Sequence, residues 1–221
     1  MFNFKLSMLF GLFSLISFAQ DAEKIIESHI NKTGGEANWN SLNSIILKGE
    51  AIINVGDSYP MIVYHQRPYN KRVVFVMNGK EILNEGYDGK MGWTYSEVTK
   101  KNVVIPNYKP DAFDADVLKY KQKGFKVKYL GLDKYDQNNS CYKVELTKNT
   151  NSTVYCFDKN TYEIVMEKNN EETLYYSNFK NYNGLSFATK IVGKPKEGGE
   201  YIIQFNDIKI NPAIDKKKFK F

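Results

Sequence analysis

The stretch Lys71–Tyr87, KRVVFVMNGKEILNEGY, decides the fold class. Lys71–Met77 and Glu81–Tyr87 read as strands, and Asn78-Gly79 lies between them. Asparagine and glycine both tolerate the positive φ that a two-residue hairpin turn demands. A strand that returns on itself in so short a span is antiparallel, because a parallel partner needs a crossover of a dozen or more residues.

The same grammar extends outward in both directions. Ile45, Leu47, Gly49, Ala51, Ile53 and Val55 share one parity while Lys48, Glu50 and Asn54 take the other, the period-two pattern of a half-buried strand. Tyr59–Arg67 follows, and Arg67-Pro68 turns the chain into the opening hairpin. Beyond it come Gly92–Tyr95 and Asn102–Ile105. After a break come Phe125–Leu132, Ser140–Thr147, Thr153–Phe157, Glu163–Lys168, Thr173–Phe179, Leu185–Val192 and Tyr201–Ile210. Asp88-Gly89, Asn183-Gly184 and Gly198-Gly199 supply turns. Consecutive hairpins without parallel crossover units predict one antiparallel sheet, and a sheet of about a dozen strands is too large to stay flat.

Two stretches break the strand period. From Asp21, a plausible N-cap, Ala22, Ile25, Ile26, His29 and Ile30 recur at spacings of three and four, predicting an amphipathic helix that Gly34-Gly35 stops. Pro110–Gly124, PDAFDADVLKYKQKG, places Phe113, Val117, Leu118 and Tyr120 at helical spacing between a first-turn proline and a terminal glycine. The class is therefore mainly β (α+β), with helices covering one face of a strongly curved sheet.

The N-terminus, MFNFKLSMLFGLFSLISFAQ, has the order of a secretory signal: Lys5, an uncharged run from Leu6 to Phe18, and Ser17-Phe18-Ala19 as a small-residue exit. The run is short of the ~20 apolar residues a membrane span needs. Residues 1–19 are expected to be a signal peptide and 20–221 one exported domain, soluble in the periplasm. No cysteine stands at the cut to carry a lipid anchor. The chain is 221 residues long with a formal charge of +6, and its lysines are scattered, only Lys216–Lys218 forming a run. Nucleic-acid binding, which wants basic residues on one face, is not expected.

Cys141 and Cys156 fall in strands joined by a turn-rich run. With a turn at Lys148-Asn149 they would lie opposite each other, as a cross-strand disulfide or as two separately buried thiols. The chain has two histidines, His29 and His65, with no HExxH spacing, no GxSxG elbow and no phosphate-cradling glycine loop. Asp111, Asp114 and Asp116 lack the central glycine and closing glutamate of a calcium loop. Neither an enzyme nor a cofactor or metal site is expected. The 16 Tyr and 14 Phe suit strands, so an ordinary aromatic core is their first reading.

Several segments, taken in order, resemble the LolA-like proteins, the exported outer-membrane lipoprotein-sorting family. These are Gly34-Gly35 with Trp39, Leu42 and Ser44-Ile45; Tyr87-Asp88-Gly89 with Gly92-Trp93; and Tyr142-Lys143-Val144 followed by Phe157-Asp158 and Thr161. They continue with Tyr182-Asn183-Gly184-Leu185 and Ile210-Asn211-Pro212-Ala213-Ile214-Asp215 with Phe219. Phe187-Ala188 stands where these domains commonly carry proline. The resemblance implies an incomplete β-barrel with a helical lid and an apolar cavity for acyl chains. A carrier of that kind saves ~0.8 kcal/mol per methylene shielded from water. Phe113, Val117 and Leu118 would be the lid's inward face. Strand parity offers Leu47, Ile53, Met61, Val63, Phe75, Met77 and Trp93 as wall residues. The expected function is that of a monomeric periplasmic carrier of a lipoprotein acyl chain or another lipid. The alternative is a non-enzymatic envelope binding or scaffold module with a protein partner and no lipid.

Overall fold

The computed structural model describes residues 21–54, 56–108 and 116–221. The expected signal peptide and Phe113 lie outside them. Helix α1 covers residues 21–32, with Asp21 already helical, and a short α2 spans Glu36–Ser41. Strands β1 (Ser44–Asn54), β2 (Asp57–Gln66), β3 (Asn70–Met77), β4 (Lys80–Tyr87), β5 (Gly92–Ser96) and β6 (Lys101–Val104) form a first meander. A second comprises β7 (Lys126–Lys134), β8 (Ser140–Lys148), β9 (Asn151–Asp158), β10 (Ile164–Lys168), β11 (Glu172–Tyr182), β12 (Leu185–Pro195) and β13 (Tyr201–Ile210).

The two meanders join through β1 and β13, giving, among the described residues, a single antiparallel sheet of 13 strands with β6 and β7 at its edges. The seam needs a glycine. At Gly49 the register shifts, and a Cβ there would run into the Gln204 carbonyl on β13. The Asn78-Gly79 hairpin forms as expected, both residues at positive φ, and Asn183-Gly184 repeats it between β11 and β12.

Each face of the sheet has its own core. On the concave face, Ala22, Ile25 and Ile26 of α1 pack on Val144, Leu146, Tyr155 and Phe157, while Leu42, Ile45, Met61, Val63, Val73, Leu185, Phe205 and Ile208 form a neighbouring cluster. The convex face of the first meander carries Tyr64, Val74, Leu83 and Trp93. A C-terminal 3-10 turn, Lys216–Phe219, covers them by inserting Phe219. No helix among the described residues is long and apolar enough to cross a membrane.

The segment expected as a second helix is described only from Asp116 onward. Its described part holds one 3-10 turn, Asp116–Lys119, followed by hydrogen-bonded turns. Gly124, at φ +76°, closes it as a Schellman end: Phe125 N–H donates to the Tyr120 carbonyl and Gly124 N–H to that of Lys121. Val117 is fully buried beneath α1. For Val117, Leu118 and Tyr120 the apolar spacing is thus a packing pattern that one tight turn satisfies. The short α2 was not expected, and none of its residues is fully buried.

The hairpin β8–β9 is set differently from the sequence expectation. Lys148 pairs with Asn151, so the turn is Asn149-Thr150 and Cys141 faces Asp158, with Cys156 facing Lys143. The two cysteines are therefore diagonal neighbours on one face, bonded to each other with Cα atoms 5.4 Å apart.

Candidate functional site

A cavity of about 330 Å³ lies between the concave face and the α1–α2 corner. The corner is fixed by a chain of polar contacts. Thr33 Oγ1 donates to the His29 carbonyl at 2.7 Å and accepts from Trp39 Nε1 at 3.2 Å. That hydroxyl shares the His29 carbonyl with the Thr33 backbone N–H at the end of the helix and holds the indole over the cavity. Trp39 meets Phe187 edge to face with centroids 5.4 Å apart, and Phe187 meets Tyr182 at 6.3 Å. The cavity wall also draws Leu42, Ile45 and Leu47 from the β1 side. Ile164, Phe179, Ala188, Ile191 and Phe205 come from the second meander, and Leu118 from the crossing segment. Side chains from both meanders thus surround one space, which requires the sheet to wrap.

The polar groups of the lining are few. His29 is buried, and its Nδ1–H donates to the Tyr162 carbonyl at 2.8 Å. Burial pulls this imidazole down to about 4, against the raising effect of that hydrogen bond, so it is neutral at physiological pH. Tyr176 donates its phenol proton to Glu167 Oε2 at 3.0 Å. Burial, then Glu167, pushes the Tyr176 phenol up, and the Tyr155 phenol rises for the same reasons. Ser186 donates to Glu163 at 2.9 Å. His65 also lines the wall. Among the described residues no group of three or more His, Cys, Asp or Glu is placed to hold a metal ion.

The residues picked from sequence are distributed unevenly. Leu47 and Leu118 line the cavity. Met61, Val63 and Phe75 belong to the concave cluster beside it. Ile53 and Met77 are half exposed at strand ends, and Val117 is sealed under α1. Trp93 is placed on the opposite face, fully buried with Phe219 and edge to face with Phe221 at 5.6 Å. Its strand pairs Trp93 with Gly86, whose missing side chain leaves room for the indole on the convex side. Parity within a strand says which residues share a face, not which face it is. His29, Trp39, Glu167, Tyr176 and Phe187 also line the cavity, and neither strand parity nor helical spacing marks them as wall residues.

An open antiparallel sheet wrapped round an apolar cavity, with helices on its concave side, is the LolA-like half-barrel. Over 91% of its length this chain superposes on 97% of an outer membrane lipoprotein-sorting protein domain structure from Vibrio parahaemolyticus, at TM-score 0.63 and 15% identity. A LolA superfamily protein from Nitrosomonas europaea gives 0.60 at 14% identity, with 90% and 97% of the two chains covered. A DUF1329 family protein from Desulfovibrio piger gives 0.63 at 11%, again with 90% and 97% covered. No family model matches the sequence, and no curated protein does. The shared property is the fold.

Proposed function

We propose that this chain is an exported binding protein of the cell envelope that takes up an acyl chain of a lipoprotein or another lipid in its concave cavity. On this reading residues 1–19 are removed on export and the domain acts in the periplasm. The cavity is the observation that carries it: about 330 Å³, within the range of ligand pockets, and walled mainly by aliphatic and aromatic side chains. Such a space without an apolar occupant forfeits dispersion contacts along its whole lining. The fold it shares with lipoprotein-sorting domains supports the same reading. Binding, rather than catalysis, suits a lining whose ionisable groups are dispersed among apolar ones.

The test is native mass spectrometry of protein purified from the periplasm, with solvent extraction of any bound lipid, and titration with a fluorescent acyl probe. A co-purifying lipid and saturable probe uptake are expected. Ala188→Trp, which fills the cavity from β12, should weaken probe binding at least about tenfold, or ~1.4 kcal/mol, while the far-UV spectrum stays unchanged. Absence of lipid and of uptake, with one protein co-purifying in stoichiometric amount, would replace this reading with that of a protein-binding module.

A further inference from the structure

The convex face of the second meander carries an apolar row that belongs to none of the buried clusters. In the strand register Met166 on β10 faces Tyr175 on β11, which faces Val192 on β12, then Ile202 on β13 and Ile52 on β1. At about 4.8 Å per strand the row is about 19 Å long. All five side chains are half-buried or exposed, and none packs into the clusters of either face. The C-terminal turn shields the convex face of the first meander instead, on Tyr64, Val74, Leu83 and Trp93. Beyond Met166 the row opens into a groove of about 450 Å³ lined by Val154 and Cys156, with exposed Leu130 at the β7 bulge on its edge.

Lysines edge this row on both sides. Lys168 and Lys194 lie along one side and Lys190 along the other, while Lys134 and Lys143 stand at the groove. Asp133 pairs with Lys143 at 3.0 Å and Glu200 with Lys194 at 3.2 Å. Glu145 and Glu50 on the same face accept from Ser152 and Ser58. Among the described residues Lys168 and Lys190 have no carboxylate partner. We infer that this face docks on an anionic phospholipid bilayer, the apolar row at the headgroup boundary and the lysines on phosphates. The inference concerns the convex face and holds whatever the concave cavity carries. Lysine is depleted where proteins meet proteins. Lysine and tyrosine both suit a membrane surface, because their apolar stems lie on hydrocarbon while their polar ends reach the headgroups. Each lysine held near an anionic surface strengthens attachment about fivefold.

The experiment is flotation of the full exported protein with vesicles of phosphatidylcholine, alone or with about 30% phosphatidylglycerol, at about 0.1 M salt. The anionic vesicles should bind at least about tenfold more tightly, and about 0.5 M salt should remove most of that preference. Lys168→Glu with Lys190→Glu should weaken binding to anionic vesicles at least about tenfold. Lys24→Glu with Lys32→Glu, exposed on α1 across the sheet, changes the net charge equally and should alter binding less than about twofold. Leu130→Ser with Tyr175→Ser, both exposed positions, should weaken it at least about threefold with an unchanged far-UV spectrum. Ala188→Trp, which fills the concave cavity, should leave vesicle binding as it is. Absence of anionic-vesicle binding overturns the assignment in favour of a protein contact. Equal losses in the two lysine pairs, or full binding by the serine pair, overturn it too. Loss of binding in Ala188→Trp does the same, because attachment would then be uptake of a lipid into the cavity. Vesicle binding without uptake of the acyl probe overturns the cavity reading alone and upholds this one.

Discussion

His29 makes the stability of this fold depend on pH in a window well above that of its carboxylates. In the unfolded chain its imidazole titrates near 6.5, and in the folded protein burial lowers it to about 4. A depressed folded value means that the unfolded state binds the proton first. The stabilisation is complete above pH 6.5 and is lost as the pH falls toward 4. The full difference corresponds to about 3 kcal/mol, and at pH 5 the loss has already reached about 2 kcal/mol. With a urea m-value of about 2 kcal/mol/M, the midpoint should fall by roughly 1 M between neutral pH and pH 5. His29→Asn keeps an N–H for the Tyr162 carbonyl but cannot titrate, and subtracting its curve removes contributions from other groups. Urea unfolding monitored by circular dichroism at several pH values provides the measurement. A wild-type slope that His29→Asn leaves untouched would refute the assignment of this proton to the helix histidine.

Two further perturbations address the frame around the cavity. Phe219→Ala should cost about 3–5 kcal/mol, because the ring is buried against Tyr64, Val74 and Trp93. In a Trp39→Phe background the Trp93 emission should shift to longer wavelength, and unchanged urea unfolding would count against the C-terminal plug. Replacing Cys141 and Cys156 together by alanine opens a link spanning 15 positions and should cost about 3 kcal/mol, roughly 6–12 °C in Tm by calorimetry. A melting temperature within a degree or two of wild type would show that the β8–β9 hairpin alone holds that edge.

Local chemistry was legible where one or two residues decide the backbone. Asn78-Gly79, Asn183-Gly184 and Gly124 act in the structure as turns or helix ends, because positive φ is costly for almost any other side chain. The stripe of Ala22, Ile25, Ile26, His29 and Ile30 likewise marks the packed face of α1. Properties that depend on distant pairing were not legible. The turn at Asn149-Thr150 differs by one residue from the one expected, and that single step makes Cys141 and Cys156 diagonal instead of opposite. Trp93 could be given a parity but not a side, since its face is fixed by Gly86 and by Phe219 arriving from the far end of the chain. Glu167 has no local mark of a cavity residue. Its position follows from the curvature of the whole sheet and from Tyr176 on the next strand.

The pairing of β1 with β13 also sets the order in which this protein can finish folding. One side of β1 meets β2 almost at once, but its other partner is the last strand in the sequence. Until residues 201–210 emerge, the nascent chain presents a long unpaired edge, and Ile45, Leu47 and Ala51 wait for the apolar neighbours Phe205 and Ile208. Closing so distant a contact is slow, and an open edge of this kind invites pairing with other chains. A protein built this way benefits from being held unfolded until its final strand is available, and a truncation that removes only β13 would leave the rest of the sheet an aggregation template.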